Sequence, residues 1–176
     1  RNTRGELCLW LIEHKLVEHE FTTCGGFRSK GRTDPVRHDC TRSFGEILKS
    51  KSTCYYHDKC EYKYWDITDA NRSFFANPPA TGGCPFQGGM NQLWRNQLMG
   101  LAIENDGTQF KQARFSVVHH PDNEALSASL GEYRRLIANQ DRFSIFTSAD
   151  VMAAVAAHAD SELAAWIGWY RELYRL

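Results

Sequence analysis

The chain has 176 residues, with 21 basic and 21 acidic side chains and a formal net charge of zero. At 42% hydrophobic and 12% aromatic it can bury one packed core, which excludes a disordered chain. The charge balance excludes nucleic-acid binding through overall charge, though not through a local basic groove, and no apolar run approaches the ~20 residues of a membrane span.

Taken in chain order, Asn2-Thr3-Arg4-Gly5 reads as a hairpin turn, which places a further strand before residue 1. Residue 1 is Arg rather than Met, so the chain is expected to be processed or to begin partway into something longer. Leu7-Cys8-Leu9-Trp10-Leu11-Ile12 is apolar at every position and predicts a central strand covered on both faces. The strand ends in Glu13-His14-Lys15. Alternation puts Glu13 and Lys15 on one face and His14 on the other. A carboxylate and an ammonium two residues apart suit metal-assisted phosphodiester hydrolysis: the carboxylate can hold Mg²⁺, and the lysine can position water and stabilise charge on phosphorus. The backbone carbonyl of His14 is a further candidate ligand. Glu and Lys at a strand end are also common simply because strand ends are solvated.

Residues 22–89 lack a period, being interrupted by Gly25-Gly26, Asn77-Pro78-Pro79, Gly82-Gly83 and Gly88-Gly89. A stretch this long without regular structure suggests a functional or metal-stapled insertion. One short helix is expected near Arg42–Ser50, packed by Tyr55, Tyr56, Tyr62, Tyr64 and Trp65. Of the six cysteines only Cys8 lies outside this stretch, and it reads as a core residue of the strand. No apolar leader follows Arg1, so metal ligands or buried thiols are preferred to disulfides, and a cytoplasmic location is expected. Cys24, Cys40, Cys54 and Cys84 are separated by 15, 13 and 29 residues and lack the close pairs of most zinc sites. Both readings, a structural metal and ordinary buried thiols, stay open. Arg28, Lys30, Arg32, Arg37 and Arg42 outnumber Asp34 and Asp39 locally and form a candidate phosphate-contacting loop; a solvated loop explains the same charges.

From Met90 the pattern becomes regular: a helix over Met90–Glu104, a strand at Phe115–Val118, a helix over Glu124–Ala138 and a strand at Phe143–Phe146. A helix capped by Thr147 or Ser148 follows, then a last helix capped by Ser161. Gln92 and Asn96 share one helix face. His119-His120 ends a strand. Alternating strands and helices predict one α/β layered domain over 1–176: a core strand in 1–21, a cysteine-rich irregular insertion in 22–89, and the rest of the core in 90–176.

The run Leu9-Trp10-Leu11-Ile12-Glu13-His14-Lys15-Leu16-Val17-Glu18, with Cys54-Tyr55-Tyr56-His57 and Tyr64-Trp65, resembles the PD-(D/E)XK nuclease superfamily. Cys84-Pro85-Phe86, Asn91-Gln92-Leu93-Trp94-Arg95-Asn96 and Phe115-Ser116-Val117-Val118-His119-His120 narrow the likeness to a bacterial restriction endonuclease family within it. The resemblance implies a restriction-endonuclease-like mixed sheet flanked by helices, cutting DNA with Mg²⁺ or Mn²⁺. It maps Glu13 to the second metal-binding carboxylate, Lys15 to the catalytic lysine and Gln92 to a site-organising amide, although position 96 is Asn where related nucleases often have Tyr. The first motif Asp has no counterpart, since Glu6 stands on the opposite face by parity, so it is expected upstream, and the fragment is expected to cut little. Some nucleases of the superfamily carry an iron–sulfur cluster in such an insertion, so Cys24, Cys40, Cys54 and Cys84 are assigned zinc or a cluster by analogy. Arg28, Lys30 and Arg32 are the expected DNA contacts, and a homodimer is compatible with the family. The alternative is a non-catalytic DNA-binding or structural module on the same fold.

Overall fold

The computed structural model describes residues 1–29, 37–75, 78, 82–138 and 140–176. Three strands form a parallel sheet in the order β1 (Cys8–Lys15), β2 (Gln112–His119), β3 (Phe143–Thr147). Register pairs Leu11 with Phe115, Glu13 with Val117 and Lys15 with His119, while Val117 pairs with Ile145. This is the α/β restriction-endonuclease-like layering that the sequence predicts, with every pairing among the described residues parallel.

The connection from β1 to β2 carries four short helices, α1 (Gly25–Arg28), α2 (Phe44–Lys49), α3 (Tyr55–Asp58) and α4 (Tyr64–Ala70), then the long helix α5 (Met90–Asp106). Helix α6 (Ser127–Leu136) links β2 to β3, and α7 (Ser148–Ala156) and α8 (Ser161–Tyr174) close the chain. Helix α2 starts at a reciprocal cap between Ser43 and Glu46, and α7 at one between Thr147 and Asp150. Asp160, rather than Ser161, caps α8. Helix α5 stops at Gly107, whose φ of 63° a side chain would resist. No helix of the described residues is long and apolar enough to cross a membrane.

Helix α5 lies on the sheet face that carries Leu11, Phe115 and Val117. At Gly100 a Cβ would stand 3.3 Å from the Ala113 Cβ, so glycine lets helix and sheet approach closely. Leu93, Trp94, Leu98 and Leu101 of α5 enter the main core. The insertion supplies its other wall: Phe44, Trp65, Phe75 and Phe86 are all buried there, and Phe86 lies flat on Trp94 with ring centroids 4.1 Å apart. The expected helix near 42–50 is therefore α2, and Trp65 does pack against it. The segment is more regular than its glycines suggest, because its aromatic residues belong to the domain's core.

Strand β2, not β1, is covered on both faces, with Phe115, Ser116, Val117 and Val118 all buried. Strand β1 is at the edge of the described sheet, and Trp10 and Ile12 on its second face are more than half exposed, which corrects the expectation of a covered central strand. Cys8, on that same open face, is half-buried rather than core. A smaller cluster of Met152, Ile167 and Tyr170 joins α7 to α8. Leu163, Trp166 and Leu173 of the expected apolar stripe on α8 remain exposed.

Candidate active site at the end of strand β1

Strand alternation places Glu13 and Lys15 on the face beneath α5, and helical spacing places Gln92 and Asn96 one turn apart at its start. The two patterns meet. The Gln92 amide donates to Glu13 Oε1 at 2.6 Å, and the Asn96 amide donates to Oε2 at 3.0 Å. Each carboxylate oxygen therefore has its own neutral donor, and a bond to a charged acceptor contributes about 1.5–3 kcal/mol. Gln92 is held in turn, its Oε1 accepting from the Thr22 backbone N–H at 3.0 Å.

Lys15 is buried, and its ammonium lies 3.5 Å from Glu13 Oε1 and 3.6 Å from Glu18 Oε1. The Phe21 ring sits 5.6 Å from the same nitrogen. The two carboxylates are the ionic partners of this buried side chain. Glu18 is itself held as an anion: hydrogen bonds from its own backbone N–H, then the Lys15 charge and the Leu16 and Val17 N–H groups, outweigh burial and keep its carboxyl below the ordinary value. Asn123 fastens this turn from the end of β2 by donating to the Leu16 and Glu18 carbonyls.

Backbone direction along β1 also matters. Leu7 and Lys15 direct their carbonyls at Lys111 and His120 beside β2, so the odd-numbered residues face the sheet interior. The carbonyl of His14 then points to the open edge, unclaimed by β2. Its imidazole lies on the opposite face, with Nε2 3.3 Å from the Tyr170 hydroxyl.

The structure brings Glu13, Lys15 and Gln92 together and adds Asn96, Glu18, Phe21 and Asn123. Asn96 was within reach of the i, i+4 spacing. Glu18, Phe21 and Asn123 were not, because each arrives through a turn whose path no local pattern fixes. Glu6 takes no part, since Asn2 and Arg4 hold its carboxylate in the N-terminal turn. His119 stands beside Lys15 in register, while His120 binds the Tyr174 carbonyl at 2.7 Å and anchors the end of α8.

The basic loop is only partly described. Arg28 is exposed on α1, whereas Lys30 and Arg32 lie outside the described residues. Arg37 is paired with Asp58, which also meets His38, and Arg42 is paired with Asp39 and Glu46. All six cysteines are free thiols. Burial pushes the Cys24 and Cys84 thiols up, so neither resembles a reactive thiolate. Among the described residues no group of three or more His, Cys, Asp or Glu side chains is placed to hold a metal ion.

What this arrangement can do chemically is limited and specific. One oriented carboxylate, an edge carbonyl and a lysine set between two carboxylates bring hard oxygen ligands and an ammonium to one strand end. Magnesium and manganese favour such oxygen donors and are commonly bound through one or two carboxylates plus water and phosphate.

Residues 63–171 match the family model described as the PD-(D/E)XK nuclease superfamily. The match takes in α4, Gln92 and Asn96 on α5, all of β2 and β3, and most of α8; it begins downstream of Glu13 and Lys15. Comparison with curated proteins and with solved structures yields no match. Since the matched residues make up more than half of a chain whose sheet and helices are layered as that fold requires, the chain belongs to the PD-(D/E)XK nuclease superfamily.

Proposed function

We propose that the chain is the catalytic domain of a divalent-metal-dependent DNA endonuclease, serving restriction or DNA processing in the cytoplasm. The observation that carries this reading is the Glu13 carboxylate, held by the Gln92 and Asn96 amides with the Lys15 ammonium 3.5 Å away. Glu13 and the His14 carbonyl would hold Mg²⁺ or Mn²⁺, which supplies Lewis acidity to the phosphodiester when bound. Lys15 orients the attacking water and meets the negative charge that grows on the phosphoryl oxygens. Gln92 and Asn96 keep both carboxylate oxygens aimed, so that no reorganisation is needed during the reaction. Water attacks phosphorus, the bond to the 3′ oxygen breaks, and 5′-phosphate and 3′-hydroxyl ends result. Arg28, Lys30 and Arg32 contact the DNA backbone beside the site.

Cleavage is expected to be slow, because Glu13 and Glu18 are the only carboxylates that reach Lys15 among the described residues, and backbone N–H groups already occupy Glu18. The test is plasmid cleavage with Mg²⁺ by the protein and by its Glu13→Ala and Lys15→Ala variants. Each substitution should lower the cleavage rate by at least about a hundredfold. Equal cutting by parent and variants overturns the assignment. Binding of DNA without any cleavage would instead make the protein a non-catalytic module on a nuclease fold.

A further inference from the structure

The second face of β1, away from Glu13, floors an open groove of about 860 Å³ beside the N-terminal turn. Strand alternation turns Trp10 to this face, and register sets it beside Arg114 of β2. The Trp10 indole N–H donates to the Ser116 hydroxyl at 2.8 Å, so the ring is fixed although the residue is 55% exposed. Phe146 of β3 meets it at an interplanar angle of 78°, with centroids 6.4 Å apart. Perpendicular rings do not cover one another, and indole surface stays open to solvent.

The charges around this ring have one sign. Arg1, Arg4 and Arg114 line the groove, and no carboxylate does. Glu6, outside the lining, pairs with Arg4. Arg114 is exposed, and no ion pair among the described residues uses it. A chain of zero net charge thus gathers cations beside an open aromatic ring. A solvated strand edge explains the arginines but not a bare tryptophan pinned in place by a hydrogen bond.

The same features select the occupant. A second copy of the chain fits poorly, because a two-fold contact would bring the same arginines against one another. A duplex also fits poorly, since its bases stack on each other and show only their edges in the grooves. An unpaired base offers a π-face to indole, and its flanking phosphates meet guanidinium groups. We propose that this groove binds a single strand of nucleic acid, with a base stacked on Trp10 and the neighbouring phosphates on Arg1, Arg4 and Arg114. The site goes beyond cleavage: it lies across β1 from Glu13 and needs no metal.

The test is fluorescence anisotropy of a labelled DNA of about twelve nucleotides, single-stranded and as a duplex, with EDTA present. The parent should bind the single strand more tightly than the duplex. Trp10→Ala should weaken that binding at least about tenfold with its salt dependence unchanged, while Trp10→Phe keeps most of it. Arg114→Gln should lower the slope of log affinity against log salt by about 0.7, the loss of one phosphate contact. Both side chains are exposed, and far-ultraviolet circular dichroism confirms that the variants fold. A parent that does not bind, a duplex bound equally well, or variants that bind like the parent overturn the proposal. So does a Trp10→Ala variant that loses only self-association, which would give the face to a second copy. Because no metal is present, this result stands apart from the cleavage assay: binding without cutting leaves the groove in place, and cutting without this binding removes it alone.

Discussion

Glu13 and Lys15 face one another, yet they should respond to substitution in opposite ways. Glu13→Ala removes the shared acceptor of the Gln92 amide, the Asn96 amide and the Lys15 ammonium. A bond to a charged acceptor contributes about 1.5–3 kcal/mol, but the three are coupled and the Glu13 side chain is 23% exposed, so water partly replaces it. The net loss should be about 2–4 kcal/mol, much of it from a buried lysine left with Glu18 alone. Lys15→Met differs. At 3.5 Å the attraction to Glu13 is about 5 kcal/mol for an effective dielectric of 20, and desolvating the ammonium costs a similar several kcal/mol. Met keeps an unbranched apolar side chain beside Phe21 and leaves Glu13 both its amides, so stability should be unchanged or higher by about 1–2 kcal/mol. The double variant should recover part of the Glu13→Ala loss. Urea unfolding followed by far-ultraviolet circular dichroism reads these values as midpoint shifts at constant slope. If Lys15→Met costs as much as Glu13→Ala, or Glu13→Ala costs under about 0.5 kcal/mol, the carboxylate is not the hub described here.

Two further outcomes follow from the packing and the charges. Phe86→Ala removes a ring that is 1% exposed and stacked on Trp94, so it should cost about 3–5 kcal/mol and weaken the near-ultraviolet dichroism; a loss under about 1 kcal/mol would show that the insertion does not share the core. Acid should destabilise the fold. The Thr41 hydroxyl and N–H hold the Asp39 carboxyl low, the Thr147 hydroxyl and N–H do so for Asp150, and backbone N–H groups do so for Glu18. A folded-state value below the unfolded one stabilises fully above about pH 4.3, and that contribution is lost as pH falls through the folded value. Unfolding midpoints should therefore drop below about pH 4.5, and Thr147→Ala should make the drop shallower by removing the partner of Asp150; a midpoint that holds steady down to pH 3 contradicts the assignment.

The legible parts of the molecule were those governed by local periodicity. Alternation alone puts Glu13 and Lys15 on one face, and i, i+4 spacing puts Gln92 beside Asn96; that the two faces meet is a tertiary fact neither pattern contains. The apolar run at 7–12 looked like a covered strand because composition cannot distinguish a buried face from an open one, and Trp10 and Ile12 are on the open one. The glycines of 22–89 concealed α4 and the packing of Trp65, since short helices held by core contacts leave little periodic trace. Glu18 was invisible for a further reason. Its approach to Lys15 depends on the turn after β1, which Asn123 sets from more than a hundred residues away.

Gln92 carries one consequence of its own. Its oxygen is committed to Thr22 and its nitrogen to Glu13, so the amide cannot flip without losing both partners. A single side-chain rotamer thus transmits displacement between the first residues of the insertion and the carboxylate. A substitution that shifts Thr22 by an ångström re-aims Glu13 without touching it, and damage to the far loops can register as altered chemistry in a fold that is otherwise intact.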